Sequence, residues 1–175
     1  MSEKGLVLVF TGDGKGKTTA ALGLALRAWG HNRQVLMLQF IKGRICGEHL
    51  AARRLQPGLQ IKPLGQGFVN LKDPLATARQ RQAATQALQQ AAEAIRSGRY
   101  QLVILDEILY ALKYGLVAAD DVLELLDNRP DSLHLVLTGR DAPPEIIQRA
   151  HLVTEMKEIK HPYRQGIPAQ EGIEY

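Results

Sequence analysis

One stretch near the start of the chain constrains the fold more than any other. The apolar run Gly5-Leu6-Val7-Leu8-Val9-Phe10 passes directly into Thr11-Gly12-Asp13-Gly14-Lys15-Gly16-Lys17-Thr18-Thr19. Ala20-Ala21-Leu22-Gly23-Leu24-Ala25-Leu26 follows, with helical composition. Buried strand, glycine-rich loop and helix in that order form a polyphosphate cradle. Loop amides fold around the anion, and the helix presents its positive end to it. In this reading Gly12, Asp13, Gly14, Lys15, Gly16, Lys17, Thr18 and Thr19 bind a nucleoside polyphosphate. Lys17 reaches the outer phosphates, and the Thr18 hydroxyl faces Mg²⁺. The loop is a variant of G-x-x-x-x-G-K-[ST], because Thr11 stands where the first glycine belongs and Gly12 comes one place later.

The rest of the chain repeats the strand–helix alternation. Apolar runs at Val35–Phe40, Leu59–Leu64, Leu102–Glu107, His134–Arg140 and Leu152–Lys157 read as further strands, giving six in all. Pro63 sets the third of them at an edge or ends it there. Between them the sequence predicts helices over Thr18–Trp29, Arg44–Leu55, Leu75–Ser97, a short segment bearing Tyr110 and Tyr114, Ala119–Asn128 and Pro143–Ala150. In the longest, Ala84, Ala87, Leu88, Ala91 and Ile95 form one apolar stripe, with the glutamines and arginines on a solvated face. Such alternation with short connections predicts an α/β fold: a mostly parallel sheet with helices on both faces. Residues 1–175 read as one domain, and 160–175 as an extension that packs on the core or near the site, or is disordered.

Several strand ends carry candidate ligands. Leu102-Val103-Ile104-Leu105 delivers the acids Asp106 and Glu107, the Walker-B pattern that brings a carboxylate to phosphate-bound Mg²⁺. One acid serves the metal and the other orients loop groups. Gln39 at a strand's carboxyl end and Lys42 just beyond it lie where open α/β sheets bind ligands. Arg140 ends another strand and can stabilise phosphate charge. Arg27 either complements the dipole at its helix end or reaches a ligand.

Composition narrows the class. With 45% hydrophobic and 23% charged residues the chain is globular. A net charge of +4, from 22 basic and 18 acidic residues with 5% aromatics, suits polyanionic small substrates better than a nucleic-acid surface. A single cysteine, Cys46, rules out an intrachain disulfide and a cysteine-based zinc site. No apolar run has membrane-spanning length and Met1-Ser2-Glu3-Lys4 is not a secretory leader, so a cytoplasmic protein is expected.

The blocks Thr11–Ala21, Gln39-Phe40-Ile41-Lys42-Gly43, Leu105-Asp106-Glu107 and Thr138-Gly139-Arg140 resemble the ATP:corrinoid adenosyltransferases of the CobA/CobO/BtuR type, a P-loop, RecA-like fold. The ending, Lys160-His161-Pro162 and Ala169 to Tyr175, is similar too. The resemblance implies transfer of the 5′-deoxyadenosyl group of ATP to a corrinoid reduced to Co(I), with intact triphosphate leaving, in adenosylcobalamin synthesis or salvage. It implies that ATP lies in the loop in the sense opposite to ordinary NTPases. Lys17, Lys15 and Arg140 are then the catalytic cations, and Glu107 the metal-bearing acid with Asp106 as its support. Phe68 is the apolar group that displaces the lower cobalt ligand. Mg²⁺, a flavoprotein reductase and a homodimer are implied as well. The chain departs from the family pattern in having four residues before its first strand, where a helical extension is common. It also carries Asn70 where some members have tryptophan. Two other readings share part of the pattern: a kinase or hydrolysing ATPase that releases ADP, and a nucleotide-gated binding protein.

Overall fold

The computed structural model describes residues 4–67, 69 and 72–175. Six strands form one sheet: β1 (Val7–Thr11), β2 (Val35–Gln39), β3 (Leu59–Pro63), β4 (Leu102–Asp106), β5 (His134–Thr138) and β6 (Leu152–Glu155). Their spatial order is β3-β2-β4-β5-β1-β6, and every pairing is parallel. β3 is an edge strand, as Pro63 predicts. The central strands β2 and β4 are buried along their whole length. Burial on both faces is why they read as continuous apolar runs rather than alternating ones.

The helices are α1 (Lys17–Gly30), α2 (Gly47–Arg53), α3 (Pro74–Arg96), α4 (Ile108–Lys113), α5 (Ala119–Asp127) and α6 (Pro144–Arg149). Two cores lie on opposite faces of the sheet. α1 contributes Ala21 and Ala25, and α2 contributes Ala52, to one that includes Val35, Met37, Ile104 and Val136. α3 to α6 pack on the other, around Leu38, Leu105, Leu135 and Leu137. Along α3 the buried residues are Gln80, Ala84, Ala87, Ala91, Ala94 and Ile95. Alanines at this spacing let the helix lie close to the sheet. Leu88 of the expected stripe is only half-buried, and Gln80 departs from the solvated glutamine face by turning inward.

Element bounds shift by a residue or two for local reasons. α3 begins at Pro74 because Asp73 is its cap: the carboxylate accepts the amides of Leu75 and Ala76 at 3.0 and 3.1 Å. β4 stops at Asp106 because Glu107 is left-handed, with φ 62°. The tail holds a 3₁₀ turn at Pro162–Gln165 and a closing turn over 170–175. Among the described residues no helix is long and apolar enough to cross a membrane.

Candidate active site

The carboxyl ends of β1, β2, β4 and β5 converge on the start of α1. The loop after β1 owes its shape to the far end of the chain. Gly14 N–H donates to Met156 O at 2.7 Å, just past β6. A Cβ on Gly12, at φ +93°, would lie 2.5 Å from Met156 O, and one on Gly14 would lie 2.7 Å from the Lys157 carbonyl carbon. Two of the loop glycines are therefore required by the strand beside them. α1 opens with no side-chain cap and no acid in its own first turn, so its first-turn amides stay open to a ligand.

Lys17 folds back over this loop, donating to the carbonyls of Gly12 and Gly14 at 2.6 Å each. Burial, then the Arg140 charge, lower its pKa, while Asp13 and Glu107 pull the other way. Arg140 lies 3.6 Å from the Asp13 carboxylate, and Lys15 is paired with Glu174 of the tail. Three cations thus surround the loop.

Asp106 is fully buried and held from three elements. Thr18 of α1 and Thr138 of β5 donate to Oδ1 at 2.9 and 2.7 Å, and Gln39 of β2 donates to Oδ2 at 3.1 Å. The β2–β4 register sets Gln39 directly opposite Asp106. Charge-assisted bonds of this kind are the strong ones, so this carboxylate is fixed. Thr138 Oγ1 also accepts the Glu107 amide at 2.9 Å. The Glu107 side chain, by contrast, has one buried oxygen, Oε2, with no partner among the described residues. Burial, then the neighbouring Asp106 charge, push its pKa up to about 7, against the pull of Lys42 and Lys17.

A second ion pair extends the network. Lys42 donates to Glu48 Oε1 at 2.5 Å, and Gln39 Nε2 lies 3.4 Å from the same oxygen. Burial alone would lower the Lys42 pKa, but the Glu48 hydrogen bond and charge outweigh it and raise it. Burial likewise opposes, and Lys42 overcomes, the change in Glu48, which is held below the usual carboxylate range. The sequence reading missed Glu48. Its signal was an acid in the first turn of a helix that follows a strand end. Cys46, Glu48 and His49 bring a thiol, a carboxylate and an imidazole within 4.8 Å. Two of these groups are already engaged: His49 Nδ1 accepts the Cys46 amide at 2.9 Å and Glu48 holds Lys42, while His49 Nε2 is buried with no partner among the described residues. The cluster is a helix cap.

The structure therefore gathers Gly12, Asp13, Gly14, Lys15, Gly16, Lys17, Thr18, Gln39, Lys42, Asp106, Glu107 and Arg140 around one loop, with Thr19 on the first turn of α1. Arg27 is exposed at the other end of α1, roughly 15 Å along the axis from Lys17 at 1.5 Å per residue. Its bland reading, a cation at a helix C-terminus, is the one its position fits. Phe68 and Asn70 lie outside the described residues. The segment leading to them is laced to the β2 end: Leu64, Gly65 and Gly67 donate to the carbonyls of Gln39, Lys42 and Ile41 at 2.9, 3.1 and 2.8 Å.

A parallel sheet that feeds a glycine loop from β1 and sends a buried acid from β4 to the threonine of α1 defines a P-loop nucleotide-binding protein. Its fold is similar to that of the RadB recombinase, with a TM-score of 0.53 over 91% of this chain and 77% of that one, at 12% identity. The sequence goes further. A family profile, ATP:corrinoid adenosyltransferase BtuR/CobO/CobP, matches residues 3–175. Corrinoid adenosyltransferases of Sinorhizobium sp. and Pseudomonas aeruginosa are 42% and 40% identical over 99% of this chain and 81% and 85% of theirs. That of Escherichia coli K12 is 35% identical over 99% of this chain and 87% of its own. The chain belongs to the ATP:corrinoid adenosyltransferase family, a family of transferases.

Proposed function

We propose that this chain moves the 5′-deoxyadenosyl group of ATP onto the cobalt of a corrinoid reduced to Co(I). The Co(I) electron pair forms the bond to C5′ while the C5′–O bond breaks, and its electrons depart with triphosphate. No proton moves, so no general base is needed. The reaction needs donors where charge develops on the leaving oxygens. The observation that carries the reading is the clustering of Lys15, Lys17 and Arg140 about the loop and the N-terminus of α1, in a chain that matches the family from residue 3 to 175.

The residues fit Mg²⁺, which takes oxygen ligands. Glu107 Oε2 is buried without a partner among the described residues, and the Thr18 hydroxyl can keep its proton on Asp106 while its lone pair faces a cation. Glu107 and Thr18 would hold the ion, with Asp106 orienting Thr18, and bound Mg²⁺ would neutralise polyphosphate charge. Gln39 and Lys42 border the same space. We read residues 1–175 as one unit with 160–175 as an extension beside the site.

A flavoprotein reductase and a cytoplasmic setting are the partner and place that suit such chemistry. A homodimer is supported by the exposed edge strand β6, with Leu152 and Val153, and by Ile159 and Tyr163 beyond it, all exposed. Light scattering in solution tests that association. The activity is tested by anaerobic incubation with ATP, Mg²⁺ and chemically reduced cobalamin. A light-sensitive cobalt–carbon bond and one equivalent of triphosphate are expected. ADP and phosphate without a cobalt–carbon bond would establish the kinase or ATPase reading instead.

A further inference from the structure

The last six residues fold against the phosphate loop. Ile173 and Glu174 donate their amides to Gln170 O at 3.2 and 2.8 Å, and Gly172 donates to Tyr175 O at 2.9 Å. From this turn the Glu174 carboxylate pairs with Lys15. The Arg44 guanidinium lies 4.9 Å from the centre of the Tyr175 ring. A Cβ on Gly47 would stand 3.8 Å from Tyr175 O. The turn therefore spans from the loop after β1 to the segment after β2, and of its two acids, Glu171 and Glu174, it is Glu174 that pairs with a cation of the site.

We infer that Glu174 tunes the site's affinity for polyphosphate, as an internal carboxylate that competes with substrate and product for Lys15. A carboxylate on Lys15 offsets the positive charge that the ammonium offers a phosphate, and a polyanion beside Glu174 meets a like charge. Glu174 is tethered by the Gln170–Tyr175 turn, so it returns to Lys15 as an intramolecular partner at high effective concentration. The inference rests on the adenosyl-transfer reading only in making triphosphate the product that has to leave. The competition itself requires only that the loop bind polyphosphate.

The test is calorimetric titration of the full chain with inorganic tripolyphosphate and with ATP. Glu174→Gln should bind tripolyphosphate about two- to fivefold more tightly, the range one partly exposed ion pair supports. In a Lys15→Ala background the same substitution should change nothing, because the partner it frees is gone. In turnover the variant should show a lower KM for ATP together with a lower kcat, as triphosphate is retained. Removal of residues 170–175 should reproduce the tighter binding without a side-chain substitution. Unchanged or weaker binding by Glu174→Gln would overturn the inference. So would an equal gain in the Lys15→Ala background, which would reduce the effect to long-range charge. Failure of the adenosyl-transfer reading would be seen separately, as a wild-type protein that forms no cobalt–carbon bond yet still binds tripolyphosphate.

Discussion

Replacing Glu107 by glutamine should make the protein more stable at pH 8 and leave its stability at pH 4 nearly unchanged. Glu107 has its pKa raised from 4.5 to about 7, by burial first and by the Asp106 charge second. Between those values the native protein holds a proton on Glu107 that the unfolded chain has lost. Wild-type stability must therefore fall as pH rises through that window and level off above it. At 1.36 kcal/mol per pKa unit, the ionised carboxylate destabilises the native state by about 3 kcal/mol above pH 7. Glutamine cannot ionise and escapes this cost. Urea unfolding curves at pH 4, 6 and 8, in chelator, should show the stability difference between variant and wild type growing by about 3 kcal/mol across the series. Parallel curves, with a difference independent of pH, would refute the assignment of a strained buried carboxylate. The same variant should need far more Mg²⁺ for turnover, because the side chain that costs stability is the one proposed to meet the metal.

Lys17→Ala should lower kcat/KM by about a hundred- to a thousandfold, as expected for removing a donor to developing charge; turnover near wild type would move the triphosphate elsewhere. Thr138→Val removes the hydroxyl shared by Asp106 and the Glu107 amide. It should cost about 1–3 kcal/mol in urea unfolding, and a loss well under that would mean that other groups take over both bonds. Phe68→Ala should impair transfer when Co(II) has to be reduced enzymatically, yet spare it when Co(I) is supplied chemically. Equal losses under both regimes would reduce Phe68 to loop packing.

The parts of this molecule that were legible in sequence are those whose cause is local. Apolar runs such as Val35–Gln39 and Leu102–Asp106 are buried on both faces and announce themselves. Pro63 marks an edge, and the acid after Leu105 marks a strand end at the site. Most of what the sequence hid depends on residues far apart in the chain. Gly12 and Gly14 read as a phosphate cradle, but both are also pressed against Met156 and Lys157. The strand pattern alone does not tell Asp106 from Glu107, and it is the family resemblance that makes Glu107 the metal-bearing acid and Asp106 its support. The meeting of Thr18, Gln39 and Thr138 on the oxygens of Asp106 supplies the physical difference between the two. Glu48 escaped notice because its partner Lys42 belongs to a different block, and no periodicity links them. The start of α3 moves from Leu75 to Pro74 because the Asp73 carboxylate caps it.

The hydrogen bond from Gly14 to Met156 ties the nucleotide loop to the most weakly held strand of the sheet. β6 has one neighbour, β1, and all four of its residues are exposed. Strands of that kind open in sub-global fluctuations well below the free energy of complete unfolding. The loop should therefore lose its form whenever β6 detaches, while β2, β4 and β5 stay intact. Amide exchange would reveal this as a Gly14 proton that exchanges in step with the β6 amides rather than with α1. A ligand that requires the formed loop would slow both together, so occupancy of the site becomes a clamp on the edge of the sheet.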